Sequence, residues 1–202
     1  MSMTILYEVH GNLYVNLTNK CPCACTFCLR QTRDHMENSD VLWLEREPTV
    51  EEAIKAFDHV DMSKYKEVVF CGFGEPMMRL DAMVEVAKFV KETYGMPTRV
   101  NTNGLADLIY GKPVAEKLKG VIDTVSISLN TPNPQRYLEL TRSKFGIQSF
   151  EAMLAFAKAC KEEGCHVVMT TVATTLTKEE EEQCAKICKD LGVTYRIRPW
   201  ED

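Results

Sequence analysis

Leu13-Tyr14-Val15-Asn16-Leu17-Thr18-Asn19-Lys20-Cys21-Pro22-Cys23-Ala24-Cys25-Thr26-Phe27-Cys28 is the stretch on which the reading of this chain turns. Leu13 to Asn19 has the composition of a short strand, and it runs straight into four cysteines within eight residues. Cys21, Cys25 and Cys28 have the spacing C-x3-C-x2-C. Three thiolates so close together can hold three irons of a [4Fe–4S] cube, where such clusters normally take four cysteines. The fourth iron is then left for a small molecule, which favours an enzyme over an electron carrier. Zinc is the poorer reading, because structural zinc usually takes two separated ligand pairs. Cys23, the extra thiol inside the run, is expected to stay outside the ligand set.

Outward from that stretch the chain alternates strands with helices. Further strands are expected at 67–72, 98–104, 124–130, 166–172 and 194–198, all short and bounded by Gly, Pro or Asn. Capping-box patterns at Thr49/Glu52 and Thr177/Glu180 start two helices. Leu80, Met83, Val84 and Ala87 mark another, as do Phe150, Met153, Leu154 and Ala157 after Ser149, with Gly164 as a stop. Strand and helix in alternation imply parallel strands with right-handed crossovers. A closed eight-unit barrel typically needs ~250 residues, and this chain has 202. The expectation is therefore an α/β fold, a partial (β/α)6 barrel open on one side, as a single core domain over 1–202. Residues 29–47 interrupt the alternation and are too long for a routine connection, so they are expected to form a functional loop.

Bulk properties narrow the class. A net charge of −5 gives no support for general nucleic-acid binding. No apolar run approaches the ~20 residues of a membrane helix, and Met1 to His10 lacks a signal-peptide pattern. Nine cysteines, an odd number with four crowded together, suit a reducing cytoplasmic setting and metal ligation rather than a disulfide framework. Cys184, Ile187, Cys188 and Leu191 trace an apolar helical stripe and read as core. Cys71 reads as core on a buried strand.

Each expected strand ends in distinctive residues, where parallel barrels place function. The second ends in Gly72-Phe73-Gly74-Glu75-Pro76, the third in Asn101-Thr102-Asn103-Gly104, and the fourth carries Ser126, Ser128 and Asn130 on one face. Together with the cysteine motif, these segments resemble the radical S-adenosylmethionine (SAM) superfamily. The wider wording, including Phe27-Cys28-Leu29-Arg30 and Ser126-Ile127-Ser128-Leu129-Asn130, is similar to its small TatD-associated branch.

That resemblance implies Cys21, Cys25 and Cys28 as ligands of a [4Fe–4S] cluster, with SAM on the open iron. It implies reductive cleavage of SAM to a 5′-deoxyadenosyl radical that takes hydrogen from a substrate. Gly72, Phe73, Gly74 and Glu75 would hold the SAM amino group, and Phe27 would lie by the adenine. Thr102, Asn103, Ser128 and Asn130 would complete the cofactor site. Phe73 departs from the pattern, since many relatives have glycine there. A flavodoxin or ferredoxin-type reductant is implied, and the open side is expected to take a large substrate or to be closed by a partner protein or second subunit. No auxiliary-cluster domain is expected after strand six. Arg30, Arg33, Arg196 and Arg198 are expected near the barrel mouth, where arginine forks suit an anionic substrate. Within the class, 7-carboxy-7-deazaguanine synthase and glycyl-radical activating enzyme are the neighbouring readings. Outside it stands a non-catalytic iron–sulfur protein for electron transfer or redox sensing.

Overall fold

The computed structural model describes residues 3–201. They divide into two compact units: one up to Cys21 with Leu29–Asn101 and Gly120–Asp123, the other Pro22–Cys28 with Thr102–Lys119 and Thr124 onward.

In the first unit, β1 (Leu6–Val9) and β2 (Asn12–Val15) form an antiparallel hairpin. Strands β3 (Val68–Phe70) and β4 (Thr98–Thr102) follow β2 in parallel. Strand β1 is an addition to the expected set. Its turn, His10-Gly11, has positive φ at both residues, 49° and 74°. That is the hairpin geometry usually signalled by Asn-Gly, and histidine conceals it. Helix α1 (Val50–Ala56) starts at the Thr49/Glu52 capping box. Helix α2 (Leu80–Tyr94) buries the expected Leu80, Met83, Val84 and Ala87, together with Val86 and Val90.

In the second unit, β5 (Thr124–Ser128), β6 (His166–Val172) and β7 (Thr194–Arg198) are parallel and ordered as in the chain. Helices α3 (Ala106–Tyr110) and α4 (Pro134–Thr141) are additions; Asn133 caps α4, and Pro134 fills its first position. Helix α5 (Gln148–Glu162) ends just before Gly164, which has φ 90°. Ser149 lies inside it, its hydroxyl bonded to Ser143 at 2.7 Å. Helix α6 (Lys178–Leu191) starts at the Thr177/Glu180 capping box and buries Cys184 and Cys188. Among the described residues no helix is long and apolar enough to cross a membrane.

Candidate cofactor site

The β2–β3 ladder ends at Val15 and Phe70. Beyond it, segment 16–20 is irregular, with a bend at Asn19, and is held by other means. The Cys71 N–H donates to Val15 O at 3.1 Å, and the Glu75 N–H to Lys20 O at 2.8 Å. Gly74 lies so close that a Cβ there would strike the carbonyls of Thr18 and Lys20. A Cβ on Gly72 would strike the Asn16 amide. The two glycines thus let bare backbone approach bare backbone.

Asn16 is fully buried. Its Nδ2 donates to Thr4 O at 3.1 Å and Leu42 O at 2.8 Å. Its Oδ1 has no partner among the described residues. A buried acceptor left open beside a glycine turn is costly unless something donates to it. The open Asn16 Oδ1 beside a turn bare of side chains suits a donor such as a ligand ammonium group.

Glu75 is buried, and its Oε1 accepts from Met77 N at 3.0 Å, capping the short 3-10 helix Pro76–Arg79. The charge expected of it is thus engaged in ordering the turn. Phe73 packs with Tyr7, Val9 and Leu42, and the Trp43 ring lies 5.0 Å from its own. The departure at position 73 is an apolar anchor for the turn. Cys71 lies one residue past β3 and is half-buried, a correction to its reading as strand core.

Residues 29–47 form a strap. Asn19 pairs with Leu44 through both ends of its amide, Nδ2 to O at 2.8 Å and N to Oδ1 at 3.0 Å, as a ladder residue would. Leu42 and Leu44 are buried while Val41 and Trp43 are exposed. Arg79 donates to Leu17 O at 3.1 Å and Pro48 O at 2.6 Å. Glu47 accepts from the Thr18 hydroxyl at 2.8 Å and pairs with Lys20 at 3.3 Å. Burial pushes the Glu47 carboxyl up, but the Thr18 and Lys20 bonds and the charges of Lys20 and Arg79 outweigh it and hold it below the usual range. Arg30 donates to Asn19 O at 3.3 Å and Phe73 O at 3.4 Å.

In the second unit, loop 22–28 is stitched to the C-terminal end of α4. The N–H groups of Ala24 and Thr26 donate to Thr141 O and Leu140 O, both at 2.9 Å, and Lys144 N donates to Pro22 O at 3.0 Å. A helix end leaves its last carbonyls open, and here the cysteine loop takes two of them. Cys28 N bonds Cys25 O at 3.2 Å. Asn103 Nδ2 donates to Cys23 Sγ at 3.7 Å, and its Oδ1 accepts from Leu105 N at 3.0 Å. Thr102 Oγ1 accepts from Gly104 N at 3.1 Å. Ser126 and Ser128 are half-buried and alternate with buried Val125 and Ile127, and Asn130 follows with φ 67°. On β7, Arg196 is exposed and Arg198 half-exposed.

Among the described residues no cysteine is in a disulfide. Cys21, Cys25 and Cys28 are half-exposed, whereas Cys23 is only 4% exposed. Among the described residues no three His, Cys, Asp or Glu side chains converge on one point as a single ion requires. A cube places each thiolate on a different iron, and an accessible all-thiolate set suits iron–sulfur chemistry. The residues present therefore fit the cluster by donor chemistry and SAM by the glycine turn with its open Asn16 acceptor.

With this geometry in view, the chain's kinship is plain. It belongs to the radical SAM superfamily, whose family model matches residues 15–191. It is 28% identical over 188 residues to a protein of Methanocaldococcus jannaschii described as a probable GTP 3′,8-cyclase, covering 92% of this chain and 57% of that one. It is 29% identical over 160 residues to a protein of the same organism described as a "Putative glycyl-radical enzyme activating enzyme", covering 78% of this chain and 62% of that one. The chain thus spans little more than half the length of these relatives. Streptococcus suis SuiB, solved with S-adenosylmethionine bound, superposes with a TM-score of 0.70 at 17% identity over 96% of this chain and 43% of that one. At that identity the likeness speaks for the fold: an α/β architecture with parallel strands in an open sheet, the partial barrel of the superfamily. The superfamily's cofactors are a [4Fe–4S] cluster and SAM.

Proposed function

We propose that this chain is the core of a radical SAM enzyme, with Cys21, Cys25 and Cys28 holding the cluster. When bound, the cluster and SAM supply a 5′-deoxyadenosyl radical that abstracts hydrogen from a substrate. Gly72, Phe73, Gly74 and Glu75 hold the SAM amino group, with the open Asn16 Oδ1 beside Gly72 as the acceptor awaiting a donor. Phe27 lies by the adenine, and Thr102, Asn103, Ser128 and Asn130 serve the rest of the cofactor. Arg196 and Arg198 serve an anionic substrate. A flavodoxin or ferredoxin-type protein delivers the electron, and a partner or second subunit completes the open side.

The observation that carries this reading is the close approach of Gly74 to the Thr18 and Lys20 carbonyls, one residue before a cysteine set that is one ligand short. An electron carrier needs no such turn. Anaerobic reconstitution should load about four irons and four sulfides per chain, and the reduced protein should release 5′-deoxyadenosine from SAM. Iron loading without any SAM cleavage would favour the electron-transfer reading. A glycyl-radical activating role is the second reading, supported by the relative that shares 62% of its length with this chain. Formation of a glycyl radical on a co-expressed partner enzyme would separate it from small-molecule chemistry.

A further inference from the structure

We infer that Arg30 is a positioning residue that clasps the neck of the cysteine loop to the SAM-binding turn, so that one side chain sets SAM affinity and cluster retention together. The inference rests on the radical SAM reading and reassigns a residue whose chemistry alone suggested a substrate anion.

The β2–β3 ladder stops at Val15–Phe70, yet segments 17–20 and 72–79 continue side by side. Their closest approach, at Gly74, leaves no room for a side chain. The donors past the ladder are of two kinds. One is backbone, Cys71 N to Val15 O at the ladder's edge and Glu75 N to Lys20 O beyond it. The others are arginines, Arg79 on Leu17 O and Arg30 on Asn19 O and Phe73 O. Each guanidinium reaches its two carbonyls from one nitrogen, Nη1, whose pair of N–H groups stands in for missing ladder bonds. Arg30 differs from Arg79 in where it comes from. It lies two residues after Cys28, while Asn19 lies two residues before Cys21. The Arg30–Asn19 bond therefore closes the chain on both sides of the cysteine run, and the Phe73 bond ties that closure to the turn.

A hydrogen bond from a charged donor contributes more than a neutral one. At 3.3 and 3.4 Å these two lie at the long end of the range, so the expected effect is about tenfold rather than a hundredfold.

The test uses full-length protein reconstituted with iron and sulfide, comparing wild type, Arg30→Lys, Arg30→Ala and, as a surface control, Arg136→Ala. SAM is titrated into the reduced, cluster-loaded protein with the EPR spectrum as readout. Iron release to a chelator is timed separately, and circular dichroism of each apo-protein monitors the fold. At equal iron content, Arg30→Ala should need about tenfold more SAM for the half-maximal spectral change and should lose iron several-fold faster. Arg30→Lys, which keeps the charge but not the reach and planar N–H pair of Nη1, should fall between it and wild type and keeps the test open if Ala fails to fold. Unchanged SAM titration and iron release in both variants, with only substrate-stimulated turnover reduced, overturns the inference and returns Arg30 to the substrate. Failure of the wild type itself to respond to SAM would instead remove the radical SAM reading.

Discussion

The chain keeps its cysteines in two settings, and the contrast between them shows where its chemistry can lie. Cys21, Cys25 and Cys28 sit half-exposed in a loop at a strand end. Cys184 and Cys188 are buried on the inner face of α6, where burial pushes their thiols up to about 12 and about 11, and burial pushes Cys160 higher still. The thiolate is the form that binds metal and reacts. At pH 8 the two α6 thiols are ionised in roughly one molecule in a thousand or fewer. Spacing alone, four apart on a helix, makes Cys184 and Cys188 look like ligands; burial makes them packing.

Substitution should divide the two groups most sharply. Cys25→Ser should abolish the cluster absorbance of reconstituted protein, and Cys188→Ala should keep it, at a cost of about 1 kcal/mol or a melting temperature lower by roughly 2–4 °C. Iron loading that survives Cys25→Ser but not Cys188→Ala would reverse the contrast.

The Gly72–Pro76 turn gives the next largest effect. In Gly74→Ala a Cβ meets the Thr18 and Lys20 backbone, which cannot yield as a flexible side chain would. SAM affinity should fall at least tenfold, and overpacking of about 1–3 kcal/mol should lower the melting temperature by roughly 2–12 °C. An Ala variant with wild-type SAM affinity would break the link between close approach and cofactor binding.

Labelling reads the same contrast without mutation. Native apo-protein treated with iodoacetamide at pH 8 should be alkylated at Cys21, Cys25 and Cys28 within minutes. Cys184, Cys188 and Cys160 should react only after unfolding. Equal rates measured by peptide mass spectrometry would show that burial does not govern these thiols.

The smallest effect is acid sensitivity at the strap. Glu47 is held below the usual carboxylate range, so its contribution is present above its unfolded value of about 4.3 and is lost as pH falls through the lower folded value. Its side chain is a third exposed, which limits the contribution to about 0–1 kcal/mol. The melting-temperature difference between wild type and Glu47→Gln should be steady above about pH 5 and close below about pH 4. A difference that grows on acidification would contradict this sign.

Much of the architecture was legible because it depends on local chemistry. Capping boxes at Thr49 and Thr177, the stripe of α2 and the glycines of the 72–76 turn each state their structure in a few residues. What escaped depends on distant partners. The His10-Gly11 turn hides a hairpin. Helix α4 announces itself only through Asn133-Pro134, so its role in holding the cysteine loop through the Leu140 and Thr141 carbonyls could not be read. The charge of Arg30 is visible in sequence, while its bonds to the carbonyls of Asn19 and Phe73 form only on folding. The strap's Asn16 and Asn19 bonds to Leu42 and Leu44 span more than twenty residues and have no sequence signature.

The measurement that tests the account most directly is SAM titration of reduced, cluster-loaded protein, followed by EPR and by assay of 5′-deoxyadenosine in the same samples. The account predicts a saturable change in the cluster spectrum together with 5′-deoxyadenosine release, both absent in Cys25→Ser. A fully loaded cluster whose spectrum is unmoved at saturating SAM, with no 5′-deoxyadenosine formed, would contradict it.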